Sequence, residues 1–501
     1  MNRREFVGVT MAGMATLMGC QTVVPAGNGK RPNILFILAD DLGYGDVGCY
    51  GADPKHMRTP NIDRLAKEGL RFSDGHAPSS VCTPTRYALL TGEYAFRNKK
   101  GAGIIDGDAS LAIRQGSYTL PAMLQKNGYA TGFVGKWHLG LAEGKESIQW
   151  NGEIKPGPLE IGFDEAFFMP STGDRVPTVL IRNHNVENLD PKDPITINYQ
   201  HKIGNEPTGH DNIELATVLK GLPKAGHLDA ITEGVTRIGY MTGGKAALWK
   251  DERLSDTLAG EACKFIESHQ NKPFFLYFST HGIHEPRIPS PRFRGKSGAG
   301  VYGDQTEEMD DAVGQVLKAL DRMNLADNTL VIFSSDNGAT EWVGYDYGLT
   351  HADVHGHRIN GDLRGEKGTV WEGGTRVPFI VRWPGHIPAG KDSPALISLI
   401  DLQASFARLQ DVKLPDDAAP DSADVLDALL GKSRTGRHEL VEHRYGHGVA
   451  LRVDNWKFID GQLYDLSTDL SETRNLAAEY PDRVKAMSAR LKELVSSPKT
   501  R

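Results

Sequence analysis

The sequence predicts an α/β fold, in which a large, mostly parallel β-sheet is sandwiched by helices and is followed by a small C-terminal α+β domain. Three observations lead to this prediction: continuous apolar runs typical of buried strands, helical patterns between those runs, and a change to short strands near residue 414. A chain of 501 residues is long enough for one large and one small domain.

Four apolar runs read as buried parallel strands because they are continuous and rich in branched and aromatic residues. They span residues 33–39, 130–135, 273–279 and 329–335. Helices are expected between them at 60–68, 255–269 and 308–324, the first with Thr59 as its N-cap and Gly69 at its end. This alternation of strands and helices predicts the parallel sheet with helices on both faces.

The C-terminal part has a different pattern. Short antiparallel strands are predicted at 449–453, 457–460 and 462–464, followed by an amphipathic helix at 481–495. We therefore divide the chain into an N-terminal signal at 1–20, a large domain at 30–413 and a C-terminal subdomain at 414–501.

The N-terminus resembles an export signal. Arg3 and Arg4 precede a short apolar run, as in twin-arginine signals, and residues 17–20 (LMGC) resemble a bacterial lipobox, which implies lipid attachment at Cys20. The alternative is a plain cleaved signal peptide. We expect an exported protein of the bacterial cell envelope, in the periplasm or on the outer membrane, that contacts a membrane only through this lipid.

The composition excludes nucleic acids as partners and leaves open whether two of the cysteines form a disulfide. The formal net charge is −7 and no long basic run occurs, so nucleic-acid binding has no electrostatic basis. Cys49 and Cys263 could pair in an exported protein, but a single candidate pair makes no disulfide framework, and two free thiols are favoured.

Polar residues follow each of the four predicted strands. Because ligands bind beyond the carboxyl ends of strands in such sheets, these side chains should converge on one site. They are Asp40, Asp41, Lys136, His138, His281, His284, Asp336 and Asn337. The oxygen ligands among them suit a hard cation such as Ca²⁺ or Mg²⁺ and argue against zinc.

Cys82 is the candidate nucleophile. Thr83 is predicted to cap a helix that has Pro84 at its first position and Gly92 at its end. Cys82 would then lie just before a helix N-terminus, where backbone N–H groups favour an anion. The alternative is an inert, half-buried cysteine in a turn.

These residues belong to motifs whose order resembles that of type I sulfatases, in the alkaline-phosphatase-like superfamily. The motifs are DDxG at residue 40, CTPTR at 82–86, GKWHLG at 135–140, HEP at 284–286, SDNG at 335–338 and LRGEKG at 363–368. The resemblance covers nearly the whole large domain. It implies hydrolysis of sulfate esters, with Cys82 oxidised to formylglycine by a formylglycine-forming maturation enzyme.

The resemblance also implies a role for each matching residue. Ca²⁺, in preference to Mg²⁺, would be held by Asp40, Asp41, Asp336 and Asn337 and would touch the modified Cys82. Arg86 and Lys136 would hold the hydrated aldehyde, and Lys367 and His284 would contact the sulfate, with His284 favoured as the acid for the departing alcohol. His138 would then deprotonate the second hydroxyl, which releases sulfate from a sulfo-enzyme intermediate.

The substrate is expected to be a sulfated saccharide. Thr172, with Ser171 as a near-equal alternative, is similar to a family residue that reaches the site, and the sugar contacts are assigned to Asp174, Arg175, His351 and Arg364. Sulfated galactan or glycosaminoglycan oligosaccharides fit an exported bacterial enzyme. Two alternatives stay open: a phosphate or phosphonate ester hydrolase of the same superfamily, and a lipoprotein that binds glycans without turnover.

Overall fold

The computed structural model of the protein describes residues 31–347, 356–446 and 448–501, and residues 32–501 form one compact unit. The described strands are β1 (Asn33–Ala39), β2 (Leu70–Phe72), β3 (Gly75–His76), β4 (Ala130–Lys136), β5 (Glu165–Met169), β6 (Ile181–Arg182), β7 (Asn185–Val186), β8 (Thr196–Asn198), β9 (Lys220–Gly221), β10 (Ile231–Thr232), β11 (Val235–Thr236), β12 (Tyr240–Thr242), β13 (Phe274–Ser279), β14 (Thr329–Ser335), β15 (Tyr345–Asp346), β16 (Phe379–Arg382), β17 (Lys391–Ser393), β18 (Ile397–Ser398), β19 (Glu439–His443), β20 (Val449–Val453), β21 (Trp456–Ile459) and β22 (Gln462–Asp465).

The described helices lie mostly between the strands of the large sheet. They are α1 (Pro60–Glu68), α2 (Cys82–Thr91), α3 (Leu120–Lys126), α4 (Leu254–Ser268), α5 (Gly300–Arg322), α6 (Glu372–Thr375), α7 (Leu402–Leu409), α8 (Leu426–Leu429) and α9 (Pro481–Ser496). None of these helices combines the length and the apolar character needed to cross a membrane.

Ten of the described strands form one large sheet. Its order is β17-β2-β16-β14-β1-β13-β4-β5-β6-β7, and the five central strands from β14 to β5 run parallel. Antiparallel pairs occur toward the edges, between β14 and β16 and between β5 and β6. All four predicted strands lie in the parallel centre, two with the predicted bounds and two within one residue of them. The predicted fold class is therefore confirmed.

The central strands are buried on both faces. In β1, Phe36 packs into the core on one face of the sheet while Leu35 and Ile37 pack into the core on the other. Helices α2, α3 and α7 cover the first face, and α1, α4 and α5 cover the second. Because strand side chains alternate, this two-sided burial requires the continuous apolar runs seen in the sequence.

The C-terminal sheet is antiparallel, with strand order β19-β20-β21-β22, and helix α9 packs on it through Met487 and Leu494. Sequence patterning missed β19 because its buried positions include the charged residue Glu442, which pairs with Lys457 and His76 in the interior. A hydrophobic pattern cannot detect a strand that buries a satisfied carboxylate.

Two helix starts differ from the predictions. Cys82 is the first residue of α2 rather than the residue before it, and Thr83 does not cap the helix but donates its hydroxyl to the carbonyl oxygen of His138. Gly92 ends the helix in a left-handed conformation, as predicted. Helix α5 begins at Gly300, eight residues before the predicted start, because its first turns bury polar residues that carry no apolar periodicity.

Candidate active site

The carboxyl ends of β1, β4 and β14 bring most of the predicted site residues together. Immediately beyond these strands the backbone turns sharply, and Asp41 and His138 both take left-handed conformations. Gly135 has φ 117°, and a Cβ atom there would lie 1.6 Å from the carbonyl oxygen of Ser279. A glycine is therefore required where β4 approaches β13 just before Lys136.

Three carboxylates meet at this edge. Ligand atoms of Asp40, Asp41 and Asp336 all lie within 4.8 Å of one another, and the three residues are buried. Burial, helped by the carboxylates of Asp336 and Asp41 and opposed by the charges of Lys136 and Arg86, raises the pKa of Asp40 to about 7. This concentration of like charge is expensive in a buried site unless cations compensate it.

Asn337 completes an oxygen-rich set. Its Nδ2 donates to Asp41 Oδ1 at 2.8 Å, whereas its buried Oδ1 has no hydrogen-bond partner. An orphaned amide oxygen beside three carboxylates matches the ligand chemistry of a hard divalent cation. The residues present therefore fit the predicted calcium or magnesium ion.

Three cations, of which Lys136 and Arg86 are buried and Lys367 is partly buried, neutralise part of the acidic cluster. Lys136 Nζ lies 2.6 Å from Asp40 Oδ1, Lys367 Nζ lies 2.6 Å from Asp41 Oδ2, and Arg86 binds Asp336 Oδ2 through two nitrogens at 3.0 and 2.8 Å. Arg86 also donates to the carbonyl oxygen of Lys136 at 2.8 Å. The positive groups that were predicted to hold an anion are thus already fixed in place around the carboxylates.

Cys82 lies against this cluster and contacts His138. The Sγ of Cys82 is 3.2 Å from Nδ1 of His138, while Nε2 of the same ring lies 2.8 Å from the carbonyl oxygen of Ile105. A carbonyl only accepts, so Nε2 carries the proton and Nδ1 presents a lone pair to residue 82. Burial and the charge of Lys136 hold the pKa of His138 well below its ordinary value, which keeps the ring neutral.

The two histidines after β13 point in different directions. His284 Nε2 is 3.8 Å from Asp41 Oδ2, and its Nδ1 donates to the carbonyl oxygen of Glu285 at 2.7 Å. Burial and the charge of Lys367 lower the pKa of His284 to about 3. His281 instead contacts the hydroxyl of Ser255 in α4 at 3.0 Å, so it supports that helix rather than the acidic cluster.

A second polar group lies beside the first. Arg175 donates to Asp174 Oδ2 at 2.8 Å and to Thr172 Oγ1 at 2.9 Å, and the Thr172 hydroxyl also bonds Asp174. His227 Nε2 lies 3.2 Å from Asp174 Oδ2. Although burial would raise it, the pKa of Asp174 is held well below its ordinary value by Arg175 and the nearby histidines 227 and 284.

The sequence analysis did not predict His227 as a site residue. It lies in a polar insertion far from any strand of the large sheet, and only its contact with Asp174 ties it to the group. No spacing rule connects residues 53 positions apart in irregular chain. Ser171 is buried near Thr172, with its hydroxyl lacking a hydrogen-bond partner.

The other two predicted sugar contacts are His351 and Arg364. His351 lies outside the described residues. Arg364 stacks over Trp371 at 3.6 Å from the ring centroid and donates to the carbonyl oxygen of Glu472 at 2.7 Å. It therefore ties the loop that carries Lys367 to the C-terminal subdomain, and its role toward a sugar stays a prediction.

The described residues contain a second cluster of side chains that could hold a metal ion, formed by Asp74, His76 and Glu372. Basic side chains already occupy its oxygens: Arg376 pairs with Asp74 and Glu372, and Lys457 Nζ lies 2.7 Å from Glu372. We interpret this group as a buried ion-pair network that joins the C-terminal sheet to the site loops.

The described cysteines 49, 82 and 263 are free thiols, as favoured for Cys49 and Cys263.

Comparison with known proteins agrees with this geometry. The sulfatase family model matches residues 32–412. The N-acetylgalactosamine-6-O-sulfatase of Bacteroides thetaiotaomicron is 45% identical, over 98% of this chain and 98% of that protein. The steryl-sulfatase of Mus musculus is 36% identical, over 88% of this chain and 72% of its own.

Solved structures give the same result. A Bacteroides thetaiotaomicron sulfatase from work on the metabolism of multiple glycosaminoglycans superposes with a TM-score of 0.90 at 44% identity, covering 94% of this chain and 100% of its own. The PsFucS1 sulfatase from Pseudoalteromonas sp. superposes with a TM-score of 0.68 at 26% identity, over 94% and 92% of the two chains. The chain therefore belongs to the sulfatase family and is a sulfuric ester hydrolase, and its site brings Cys82, the basic side chains and the acidic cluster together.

Proposed function

We propose that this enzyme removes sulfate from a saccharide, with 6-O-sulfated N-acetylgalactosamine in glycosaminoglycan oligosaccharides as the first candidate. The observation that carries the proposal is the 45% identity, over almost the full length of both chains, to an N-acetylgalactosamine-6-O-sulfatase. The buried Thr172 and Asp174 and the partly buried Arg175, beside the acidic cluster, supply donors and acceptors suited to sugar hydroxyls. Sulfated galactans share the galactose ring and are the second saccharide class to test.

Residue 82 is proposed to act as formylglycine, made from Cys82 by a maturation enzyme. Its hydrated aldehyde supplies two hydroxyls on one carbon, one to attack sulfur and one to expel the sulfate. A plain thiol at this position is a poor nucleophile, because burial raises the pKa of Cys82. This raised pKa supports a requirement for the modification.

Asp40, Asp41, Asp336 and Asn337 would hold a Ca²⁺ ion, which when bound would supply charge stabilisation for the sulfate and orient residue 82. The unpartnered Oδ1 of Asn337 and the crowding of three buried carboxylates support this assignment.

The neighbouring side chains would bind the sulfate and move its protons. Lys367 and His284 both approach Asp41 Oδ2, so they line the same side of the acidic cluster and can meet the ester. In the reaction, His284 would protonate the departing alcohol after its Nε2 gains a proton on binding of the anionic ester, because its low pKa otherwise leaves the ring neutral with its proton on Nδ1. Arg86 and Lys136 would keep the nucleophilic hydroxyl positioned. The free Nδ1 of His138 faces residue 82 and can accept the proton of its second hydroxyl.

The proposed location is the bacterial cell envelope. A lipid on Cys20 would anchor the exported enzyme and would be its only contact with the membrane, which suits a substrate that arrives as an extracellular oligosaccharide.

Sulfate release from defined sulfated oligosaccharides tests the proposal. The matured protein, with formylglycine verified at residue 82 by mass spectrometry, is assayed with Ca²⁺ on galactose and N-acetylgalactosamine carrying sulfate at O6 or O4. Phosphate esters of the same sugars serve as matched substrates. Release from a 6-O-sulfated sugar that is lost in Cys82→Ala supports the proposal, whereas faster turnover of the phosphate esters would replace it with the phosphoester alternative.

A further inference from the structure

Trp342 is the most exposed of the seven tryptophans in the chain. Its side chain is 46% exposed, whereas Trp137, Trp150, Trp249 and Trp383 are all buried. It lies in the loop that follows β14, five residues after Asn337. A large aromatic ring with an exposed face next to the site offers a contact surface to a bound ligand.

The ring of Trp342 is connected to the site through His227. The two ring centroids are 5.8 Å apart, and the other neighbour of His227 is Tyr345, stacked at 4.9 Å with an angle of 8° between the planes. Nε2 of His227 reaches Asp174 Oδ2 at 3.2 Å. Trp342 therefore stands at the rim of the polar group formed by Thr172, Asp174 and Arg175.

Hydrogen bonds hold the loop backbone that carries this ring. The backbone N–H of Trp342 donates to Thr340 Oγ1 at 3.0 Å, and Thr340 in turn donates to Glu366 Oε2 at 2.9 Å. Glu366 precedes Lys367, whose backbone N–H donates to the carbonyl oxygen of Ala339 at 3.0 Å. Because the loop is tied to the segment that carries Lys367, little conformational entropy is lost when a ligand packs on the ring.

We propose that Trp342 is a specificity-determining residue, on which the second sugar of an oligosaccharide packs while the sulfated ring lies at Asp174 and Arg175. This inference rests on the proposed saccharide sulfatase function. A pyranose presents a face of C–H groups that matches an aromatic face, and its hydroxyls stay in water, so an exposed ring beside the site suits a sugar better than an apolar ligand. The enzyme should then prefer oligosaccharides to sulfated monosaccharides.

The test compares the wild-type enzyme with Trp342→Ala and Trp342→Phe on a 6-O-sulfated monosaccharide and on the disaccharide and tetrasaccharide that carry the same sulfated ring. Tyr480→Ala is the matched control, because it removes a ring of similar exposure (43%) beside Trp456 in the C-terminal subdomain. We expect Trp342→Ala to lower kcat/KM for the oligosaccharides about 3- to 10-fold, mainly through KM, which is the range for one aromatic contact.

The outcomes separate the inference from the function on which it rests. Unchanged monosaccharide turnover in Trp342→Ala, with partial rescue of oligosaccharide turnover by Trp342→Phe, supports the role of Trp342 as the contact for the second sugar. An equal loss on all three substrates, or no loss on any, overturns it while the sulfatase function stands. Failure of the wild-type enzyme on every sulfated saccharide overturns both. Thermal midpoints of all variants identify any loss caused by unfolding.

Discussion

His138 and Cys82 form a directed pair: Nδ1 of the imidazole lies 3.2 Å from Sγ, and the carbonyl oxygen of Ile105 fixes the ring by accepting from Nε2. The pair joins the end of β4 to the first residue of α2. A histidine whose tautomer is set by a backbone carbonyl needs no third side chain to orient it. The free lone pair on Nδ1 of His138 therefore faces residue 82, as the proposed mechanism requires.

Replacing Cys82 tests this position directly. We expect Cys82→Ala to reduce sulfate release by at least about 10³-fold, because the nucleophile is lost while the surrounding charges remain. Cys82→Ser should be equally inactive when no serine-modifying maturase is present, since one hydroxyl cannot both attack sulfur and expel sulfate. Circular dichroism and the thermal midpoint should match the wild type. Retained turnover in either variant would contradict the formylglycine mechanism.

His138→Ala should leave sulfate attached to residue 82. Transfer of sulfate from the substrate to residue 82 needs no base at His138, but the later release of that sulfate does. The variant should therefore accumulate protein with the added mass of one sulfate after brief exposure to substrate. Intact-mass spectrometry detects this species, and His281→Ala is the control, because that ring contacts Ser255 and not residue 82. If only His281→Ala accumulates the mass, the base has been assigned to the wrong histidine.

The parts of the site that follow strand ends could be predicted from sequence. Asp40, Lys136 and Asp336 each come directly after or at the end of a strand whose apolar run is unmistakable, and parallel strands place such residues at one edge. His227 and Trp342 could not be predicted, because they lie in irregular segments. The position of His227 depends on its contact with Asp174, and the loop of Trp342 is held by the hydrogen bond from Thr340 to Glu366. No local pattern encodes either contact.

In the fold, too, the elements with a clear apolar pattern could be predicted from the sequence and those without one could not. Strands β1 and β14 have the predicted bounds because their burial on both faces leaves a continuous apolar run. Strand β19 and the first turns of α5 were missed because they bury the polar residues Glu442, Asp304 and Thr306, which give no apolar signal. Buried polar residues obey hydrogen-bond and charge requirements that periodicity does not report.

Metal binding should depend on Asn337. We expect Asn337→Ala to weaken Ca²⁺ binding by at least about 10-fold, because the unpartnered Oδ1 is removed from the oxygen set. Isothermal titration calorimetry of the chelator-treated protein measures this independently of activity. Asn198→Ala, in β8, should bind like the wild type. Equal affinity in the wild type and Asn337→Ala would remove this residue from the ligand set, and tighter binding of Zn²⁺ than of Ca²⁺ would contradict the choice of a hard cation.

Lys457 should be essential for stability. Its Nζ is fully buried and lies 2.7 Å from Glu372, 2.9 Å from Glu442 and 3.5 Å from Glu472, which come from three separate segments. Lys457→Met leaves these carboxylates without their shared cation and should lower the free energy of unfolding by about 3–5 kcal/mol. Lys202→Met, which breaks an exposed pair with Asp211, should leave the free energy of unfolding almost unchanged. Chemical denaturation measures both, and similar values would show that the buried network contributes little.

His76 should make stability depend on pH. Its Nδ1 lies 2.9 Å from Glu442 and its Nε2 2.8 Å from Asp74, and since carboxylates only accept, both nitrogens must donate and the ring is an imidazolium. Burial alone would lower the pKa of His76, but the carboxylates of Asp74, Glu372 and Glu442 raise it above its ordinary value.

A histidine whose pKa is raised by folding contributes stability that is complete below its unfolded pKa, about 6.5, and is lost as the pH rises through the folded value. The urea midpoint of the wild type should therefore fall as the pH is raised above neutrality. His76→Gln, which cannot carry the charge, should be less stable at pH near 6 and should lose most of this slope. The contribution of His76 is the difference between the two curves, so an unchanged slope in His76→Gln would assign the pH dependence to another group.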